Sequence, residues 1–394
     1  MLNRTVVCAL ILSRFVIGCS SGGTPDGSNG DAATSADGGD GDGAPTFIPG
    51  KDAGTPVPCT PDAANAEIPG NGCDDDANGQ TDEVTACDDA LTAGGDALTF
   101  AKALGLCEKS EAGSWGLVSA EYTTGGAATP LATQHNITTK FGSVLKPREG
   151  KSLGVLGTKV TDEKGAPDGF LVGGLAGPSG SIPNLCALGA VGCTPAVTKG
   201  NDVITLKLVI KVPANAKGVA VDFNFMSSEW PMYVGSINDG FLIHMTGQKG
   251  SGNIAFDAKG GAVNVNNGFF DRCTPGVKIG CLGVLQTAKS VCAAGEAELA
   301  GTGFARFTTP YVSADNVSTA VGKPCFGQPE LPASGGGATG WLSSQTPVTP
   351  GETITLEIAI WNAVDHLYQS VALLDHLRWI PTETTTVTKR PDLF

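Results

Sequence analysis

The chain has 394 residues, 56 of them Gly and 24 Pro; only 16% are charged, and 39 Asp and Glu against 25 Lys and Arg give a formal net charge of −14. An acidic chain cannot displace the counterions of a phosphate backbone or dock by charge on anionic lipid, which argues against nucleic acid and an electrostatic membrane surface as partners. Low charge and abundant Gly with ordinary apolar content suit an exported, turn-rich β protein.

At the N-terminus Arg4 precedes the apolar run Val6 to Leu12, and Val16-Ile17-Gly18-Cys19 follows. A positive charge, a short apolar core and a small residue before the cut are the parts of a secretory signal. The run is broken by Arg14 and falls short of the roughly 20 apolar residues that span a membrane. Ending such a signal on Gly18-Cys19 resembles the lipobox of bacterial lipoproteins. The resemblance implies a signal peptide over 1–18, a lipid on Cys19, and attachment through it to the cell envelope, at the outer membrane or cell surface. Residues 19–58 are mostly Ser, Gly, Thr, Asp, Ala and Pro, with Asp26, Asp31, Asp37, Asp40 and Asp42 spread along them. Such a stretch cannot bury enough apolar surface to offset its chain entropy and is expected to be a flexible, self-repelling tether.

Residues 59–90 carry the first chemical motif, Cys73-Asp74-Asp75-Asp76-Ala77-Asn78-Gly79-Gln80-Thr81-Asp82-Glu83. Asp74, Asp76, Asn78 and Asp82 can turn hard oxygens toward one ion while Gly79 supplies the sharp turn, the chemistry that calcium prefers. The twelfth position, where an EF-hand places its bidentate Glu, is Thr85, so the segment resembles instead the short Cys-Asp calcium repeats of secreted bacterial proteins. Beyond Cys19 there are ten cysteines: Cys59, Cys73, Cys87, Cys107, Cys186, Cys193, Cys273, Cys281, Cys292 and Cys325. An even set in an exported chain reads as disulfides. Short-range candidates are Cys73 with Cys87, Cys186 with Cys193, and Cys273 with Cys281 or Cys292.

Residues 91–114 hold one expected helix, capped by Asp96 and running to Leu104 before Gly105, with Leu98, Phe100, Ala101 and Leu104 as its apolar face. From residue 115 the period becomes two: Ile204, Leu206, Leu208, Ile210; Val219, Val221, Phe223, Phe225; Ile354, Leu356, Ile358, Ile360. These read as strands with one buried and one wet face, and several of them between Gly and Pro clusters predict a mostly β fold. The architecture expected is a β-sandwich or jelly roll with one N-terminal helix and disulfide-linked loops, over residues 115–382, with 383–394 as a tail.

The stretch Val221-Asp222-Phe223-Asn224-Phe225-Met226-Ser227-Ser228-Glu229-Trp230-Pro231, continuing through Asn238-Asp239-Gly240-Phe241-Leu242-Ile243, resembles the core signature of the choice-of-anchor L domain. Thr355 to Asp375 resembles that family's closing strand, Asp-containing turn and final strand, although Trp230 stands where the family commonly has a second Glu. The resemblance implies an extracellular β-sandwich of bacterial surface proteins, held by varied anchors and without an established reaction.

Glu229, Asn238, Asp239, Asp365 and Asp375 stand at expected strand ends beside aromatic residues. There they can hold a second calcium ion or cap turns. Two such carboxylates could instead flank a sugar bond as a hydrolase pair. His135, His244, His366 and His376 form no HExxH, and no P-loop or CxxC occurs. The reading is therefore a non-catalytic, lipid-anchored binding or adhesion module with calcium as a structural ion and a carbohydrate or protein surface ligand. Trp230 and Tyr233 are expected to be exposed on its loop face. A carbohydrate-active hydrolase is the alternative. Changing Cys19 to Ser is expected to leave an unprocessed or soluble chain; detergent-phase partitioning checks this, and wild-type partitioning of the variant would exclude the lipid.

Overall fold

The computed structural model describes residues 60–83, 86–111, 114–161, 176–231, 233–235, 239–277, 279–280, 288–305 and 336–391, all within one unit of the fold, Ala53–Phe394. The signal segment, Cys19, the tether, Cys59, Asn238, Cys281 and Cys325 lie outside the described residues.

Helix α1 spans Ala97–Ala103 and begins where the sequence places it, because Asp96 Oδ1 accepts the Thr99 N–H at 2.8 Å. Ala97, Phe100, Ala101 and Leu104 form its buried stripe, while Leu98, expected on that face, is 42% exposed. Each helical residue turns about 100°, so a stripe centred on Ala97 and Leu104 carries Leu98 out to solvent.

The strands in chain order are β1 (Gly116–Thr123), β2 (His135–Thr138), β3 (Leu153–Gly157), β4 (Gly180–Ser181), β5 (Lys199–Lys211), β6 (Gly218–Ser227), β7 (Gly240–Gly247) and β8 (Gly250–Asn253). They continue as β9 (Val263–Asn264), β10 (Arg272–Cys273), β11 (Gly337–Ala338), β12 (Leu342–Pro347), β13 (Thr353–Asn362), β14 (Ser370–Ile380) and β15 (Val387–Lys389). One antiparallel sheet runs β1-β5-β13-β7-β8, with β4 on β5 and β9 on β7; the second runs β10-β11-β6-β14-β3-β2, with β12 on β6 and β15 on β12. Ile204, Leu206, Leu208 and Ile210 of β5 and Ile354, Leu356, Ile358 and Ile360 of β13 share one core with Val219, Val221, Phe223 and Phe225 of β6 and Ala372 and Leu374 of β14. The period-two stripes thus meet face to face, and the fold is a mostly β sandwich with a single α-helix among the described residues.

Two expectations are corrected. Strand β6 is not wet on its second face: all ten of its residues are buried. A second apolar cluster explains this, with Phe141, Leu145, Leu299 and Phe304 from connecting segments lying over Val155, Met226, Val371 and Leu373 on the outer face of that sheet. The tail is also part of the sandwich, because Val387–Lys389 pairs with β12 and Arg390 donates to the carbonyls of Thr339 and Phe269.

Cys186 pairs with Cys193 and Cys273 with Cys292, as the spacing allowed. Cys87 pairs with Cys107 rather than with Cys73, because burial of α1 carries the chain that follows it back beside Cys87; Cys73 is itself disulfide-bonded.

Register decides where the loops meet. Ser370 faces Ser227 across β14 and β6, and Trp361 faces Gly240 across β13 and β7. The β6–β7 and β13–β14 connections, which both cross from one sheet to the other, therefore leave from the same end of the sandwich. Asn201, at the start of β5, pairs with Asn362 at that end too.

Gly154 marks a close approach: a Cβ there would lie 2.2 Å from the Phe100 ring of α1. Gly154→Ala is expected to lower stability by about 1–3 kcal/mol through overpacking, read as a fall in melting temperature; an unchanged value would mean that α1 does not press on β3.

Candidate functional site

The N-terminal acidic loop divides its carboxylates between two jobs. Asp74 takes the N–H groups of Asn78 and Gly79, each at 3.0 Å, and Asp82 takes those of Asn71 and Gly72 at 2.9 and 3.0 Å. These two hold turns, as short acidic side chains do beside left-handed residues such as Ala77 and Gly79. Glu67, Asp76 and Glu83 instead converge, with one oxygen from each lying within 4.8 Å of the others. That is about the span across a calcium ion whose ligands sit about 2.3–2.6 Å away. Glu67 is oriented by the N–H groups of Asp82 (2.8 Å) and Asp75 (2.9 Å). Burial raises its pKa, and the Glu83 charge adds to the rise against those donors. Asn78 Nδ2 bridges Asp76 and Glu83, and Glu83 Oε2 is buried with no hydrogen-bond partner. Asp76 and Asn78 are therefore found at the cluster, whereas Asp74 and Asp82 are turn caps. Glu67 was missed, standing seven residues ahead of Asp74; Glu83 was visible in the motif but not assigned to it.

At the crossover end of the sandwich lies a second polar group. Asp239 is 1% exposed; its Oδ1 accepts the Ala363 N–H at 2.8 Å and its Oδ2 the Ser370 hydroxyl at 3.0 Å. The Glu229 N–H donates to Ser227 Oγ at 3.1 Å, and Ser227 and Ser370 share a 2.9 Å hydroxyl contact. Because a hydroxyl carries one proton, and Ser370 gives its own to Asp239, Ser227 donates to Ser370. Glu229 is also 1% exposed, and its Oε2 has no partner. Burial raises the Glu229 pKa, with the charges of Asp239 and Asp365 adding to it; burial raises Asp239 as well, against its two donors.

Beside them Asp202, in the left-handed region at φ +52°, is fully buried. It accepts from Gly177 N–H, from Asn362 Nδ2 at 2.8 Å and from His366 Nδ1 at 2.7 Å, with Lys159 Nζ 3.8 Å away. Burial lowers the Lys159 pKa, opposed by Asp202, Asp365 and Asp239. Sequence reading missed Lys159, Asp202 and His366; the one signal was an acid set directly ahead of the apolar alternation of β5.

Asp375, grouped by sequence with Glu229 and Asp239, is elsewhere. On β14 it faces Asp222 of β6, five residues along the strand from Ser370. Its oxygens take the N–H groups of Arg148 (2.5 Å), Glu149 (3.3 Å) and His376 (2.7 Å), so it ties a loop to the sheet. Asp222 is matched by Arg378 Nη1 at 2.8 Å, Arg148 Nε at 3.3 Å and His376 Nδ1 at 3.2 Å. Trp230 and Tyr233, expected on the surface, are 7% and 9% exposed. The Trp230 ring packs 5.2 Å from Phe270, and Tyr233 Oη meets Tyr368 Oη at 3.1 Å. Trp230 joins the main apolar core, and Tyr233 packs its ring 4.9 Å from that of Tyr368. Comparison of the chain with family models, curated proteins and solved structures finds no match.

Asp222 and Asp375 govern opposite limbs of the pH profile. Burial would raise Asp222, but His376, Arg378 and Ser343 outweigh it and hold the carboxyl well below the usual range. Its stabilisation is present above the ordinary value of about 3.9 and is lost as the pH falls below it. Burial pushes Asp375 up to about 7 despite three backbone donors, so its stabilisation is full below about 3.9 and is lost as the pH rises through about 7. Asp375→Asn is expected to flatten part of the decline in melting temperature between about pH 4 and 7 and leave the acid limb intact. An unchanged slope over that range would remove Asp375 from the linkage.

Proposed function

We propose that the chain is a lipid-anchored cell-surface binding or adhesion protein of the choice-of-anchor L type, stabilised by calcium and without catalysis. The observation that carries this reading is the enclosure of Glu229 and Asp239, the two acids a hydrolase would need. At 1% exposure each, both are closed off from the solvent through which a sugar chain would reach them. What the same end offers to solvent is apolar: Val364 is 80% and Leu367 43% exposed on the β13–β14 connection. Val364 holds φ +66°, a costly conformation for a β-branched side chain. A strained apolar residue presented on a loop over a rigid sandwich suits recognition of a carbohydrate or protein surface. Among the described residues no helix is long and apolar enough to cross a membrane. Attachment in this reading is the lipid on Cys19.

Calcium enters through Glu67, Asp76 and Glu83, with Asn78 orienting two of the three. Bound there, the ion would neutralise three carboxylates and fix the acidic loop. At ten times the dissociation constant, one such site adds about 1.4 kcal/mol. The melting temperature of the full chain is expected to rise with millimolar calcium and fall with chelator. The Asp76→Asn, Glu83→Gln double variant should lose the part of the shift that this loop supplies. Incubation with polysaccharides is expected to give retention without new reducing ends. Reducing ends that disappear in Glu229→Gln would establish the hydrolase instead.

A further inference from the structure

Among the described residues Lys159 is the one lysine that the fold encloses, at 1% exposure, and the binding role gives it nothing to do. Buried carboxylates are ordinarily met by Arg, whose guanidinium stays charged, as Arg148 and Arg378 meet Asp222. Asp202 is met by Lys159 instead, with Nζ 3.8 Å from Oδ2, and Asp202 is itself fully buried. Burial disfavours the ammonium, and the uncharged amine it leaves is a nucleophile. The two residues are held together by more than charge. Gln134, also fully buried, donates from Nε2 to the carbonyls of Asp202 (2.8 Å) and Thr158 (3.2 Å), so Asp202 and the residue before Lys159 hang on one amide. The Asp202 carboxyl is held at both oxygens: Asn362 Nδ2 donates to Oδ2 at 2.8 Å, while Oδ1 takes the Gly177 N–H and lies 2.7 Å from His366 Nδ1. Asn362 is fully buried, whereas the His366 side chain is 39% exposed. An amine, a fixed carboxyl, a donor on one of its oxygens and an imidazole that links the other to solvent are the components of an acyl transfer.

We propose that Lys159 and Asp202 condense into a side-chain amide, with His366 as the proton relay, and so join the segment after β3 in one sheet to β5 in the other. The ammonium passes one proton to the carboxylate, leaving amine and acid. Nζ then attacks Cγ, and the negative charge that gathers on Oδ2 is received by Asn362 Nδ2. The bond from Cγ to Oδ1 breaks, and Oδ1 departs as water with the two hydrogens that the nitrogen has lost, the second of them relayed by His366. Nothing is oxidised or reduced, and no co-reactant enters. In water such a condensation runs backward, because the ionised acid and amine are better hydrated than the amide. Here neither is hydrated, and the reaction removes two buried charges whose attraction offsets only part of their desolvation. The consequence is mechanical: the two layers can no longer part at this end by losing non-covalent contacts alone.

The test is peptide mapping of the full chain, reduced, alkylated and digested with trypsin. An acylated Lys159 is not cut, so the expected product is peptide 152–164 joined to peptide 200–207, lighter than their sum by one water. Fragmentation should place the branch on Lys159 and Asp202. The branch is read rather than the intact mass, because ring closure at Asp239-Gly240 would also release one water. Lys159→Met, which keeps the length and loses the amine, should yield peptide 200–207 unbranched. His366→Ala, at a partly exposed side chain, should form the bond at least about tenfold more slowly, seen as unbranched peptides beside the branched one in freshly made protein. Wild-type protein that gives only the separate peptides 152–159 and 200–207 would overturn the proposal, and that map decides the matter even if neither variant folds. A branch that maps to other residues would overturn it as well, and an undelayed bond in His366→Ala would overturn the relay.

Discussion

The pairing of β6 with β14 is the constraint on which the rest of the molecule depends. Both strands run through the interior with apolar clusters on each side, the sandwich core on one face and Phe141, Leu153, Leu299 and Phe304 on the other. A strand covered on both faces cannot leave its polar side chains to water, so each must find a partner within the protein. Asp222, Asn224, Ser227 and Asp375 are all buried along this pair, and the arrangement around each follows from that requirement. Asn224 alone leaves both amide atoms unpaired, at a cost of about 1–3 kcal/mol per buried group; we have no physical account of it.

The two polar centres on this pair differ in how their charge is met. Around Asp222 the sequence places Arg148, His376 and Arg378, and the fold brings them to within 3.3 Å. That centre is saturated and explains itself as a pin between the two strands and the segment before β3. At the other end, the crossover connections bury Glu229 and Asp239 alike, and the donors to Asp239 are the Ser370 hydroxyl and the Ala363 N–H. The contrast is between a carboxylate matched by guanidinium and imidazole groups and one matched by a hydroxyl and a backbone N–H.

The same register explains why the exposed apolar loop and the buried carboxylates share one end. Strands β5, β6, β13 and β14 start or stop there, so residues far apart in sequence, such as Asp202 and His366, become hydrogen-bond partners. Loops carried on such a scaffold are held by what lies beneath them.

By itself the sequence determined the period-two stripes of β5, β6 and β13, the Asp96 cap of α1 and the Cys186–Cys193 pairing. Each is set by residues within one strand, one helical turn or one short loop, where local sterics and hydrogen bonding suffice. It also drew attention to Glu229, Asp239 and Asp365, because acids beside aromatic residues at strand ends stand out in a line of text. The tertiary structure alone decided which acids meet. Asp375 looked equivalent to Asp239 until the pairing with β6 carried it to Asp222, and Glu67 and Lys159 had no local signal at all. It decided as well that β6 would be dry on both faces and that Trp230 and Tyr233 would turn inward. The physical reason is common to these cases: burial and charge pairing are properties of neighbours brought together across sheets and long connections, and no periodicity within a strand encodes them.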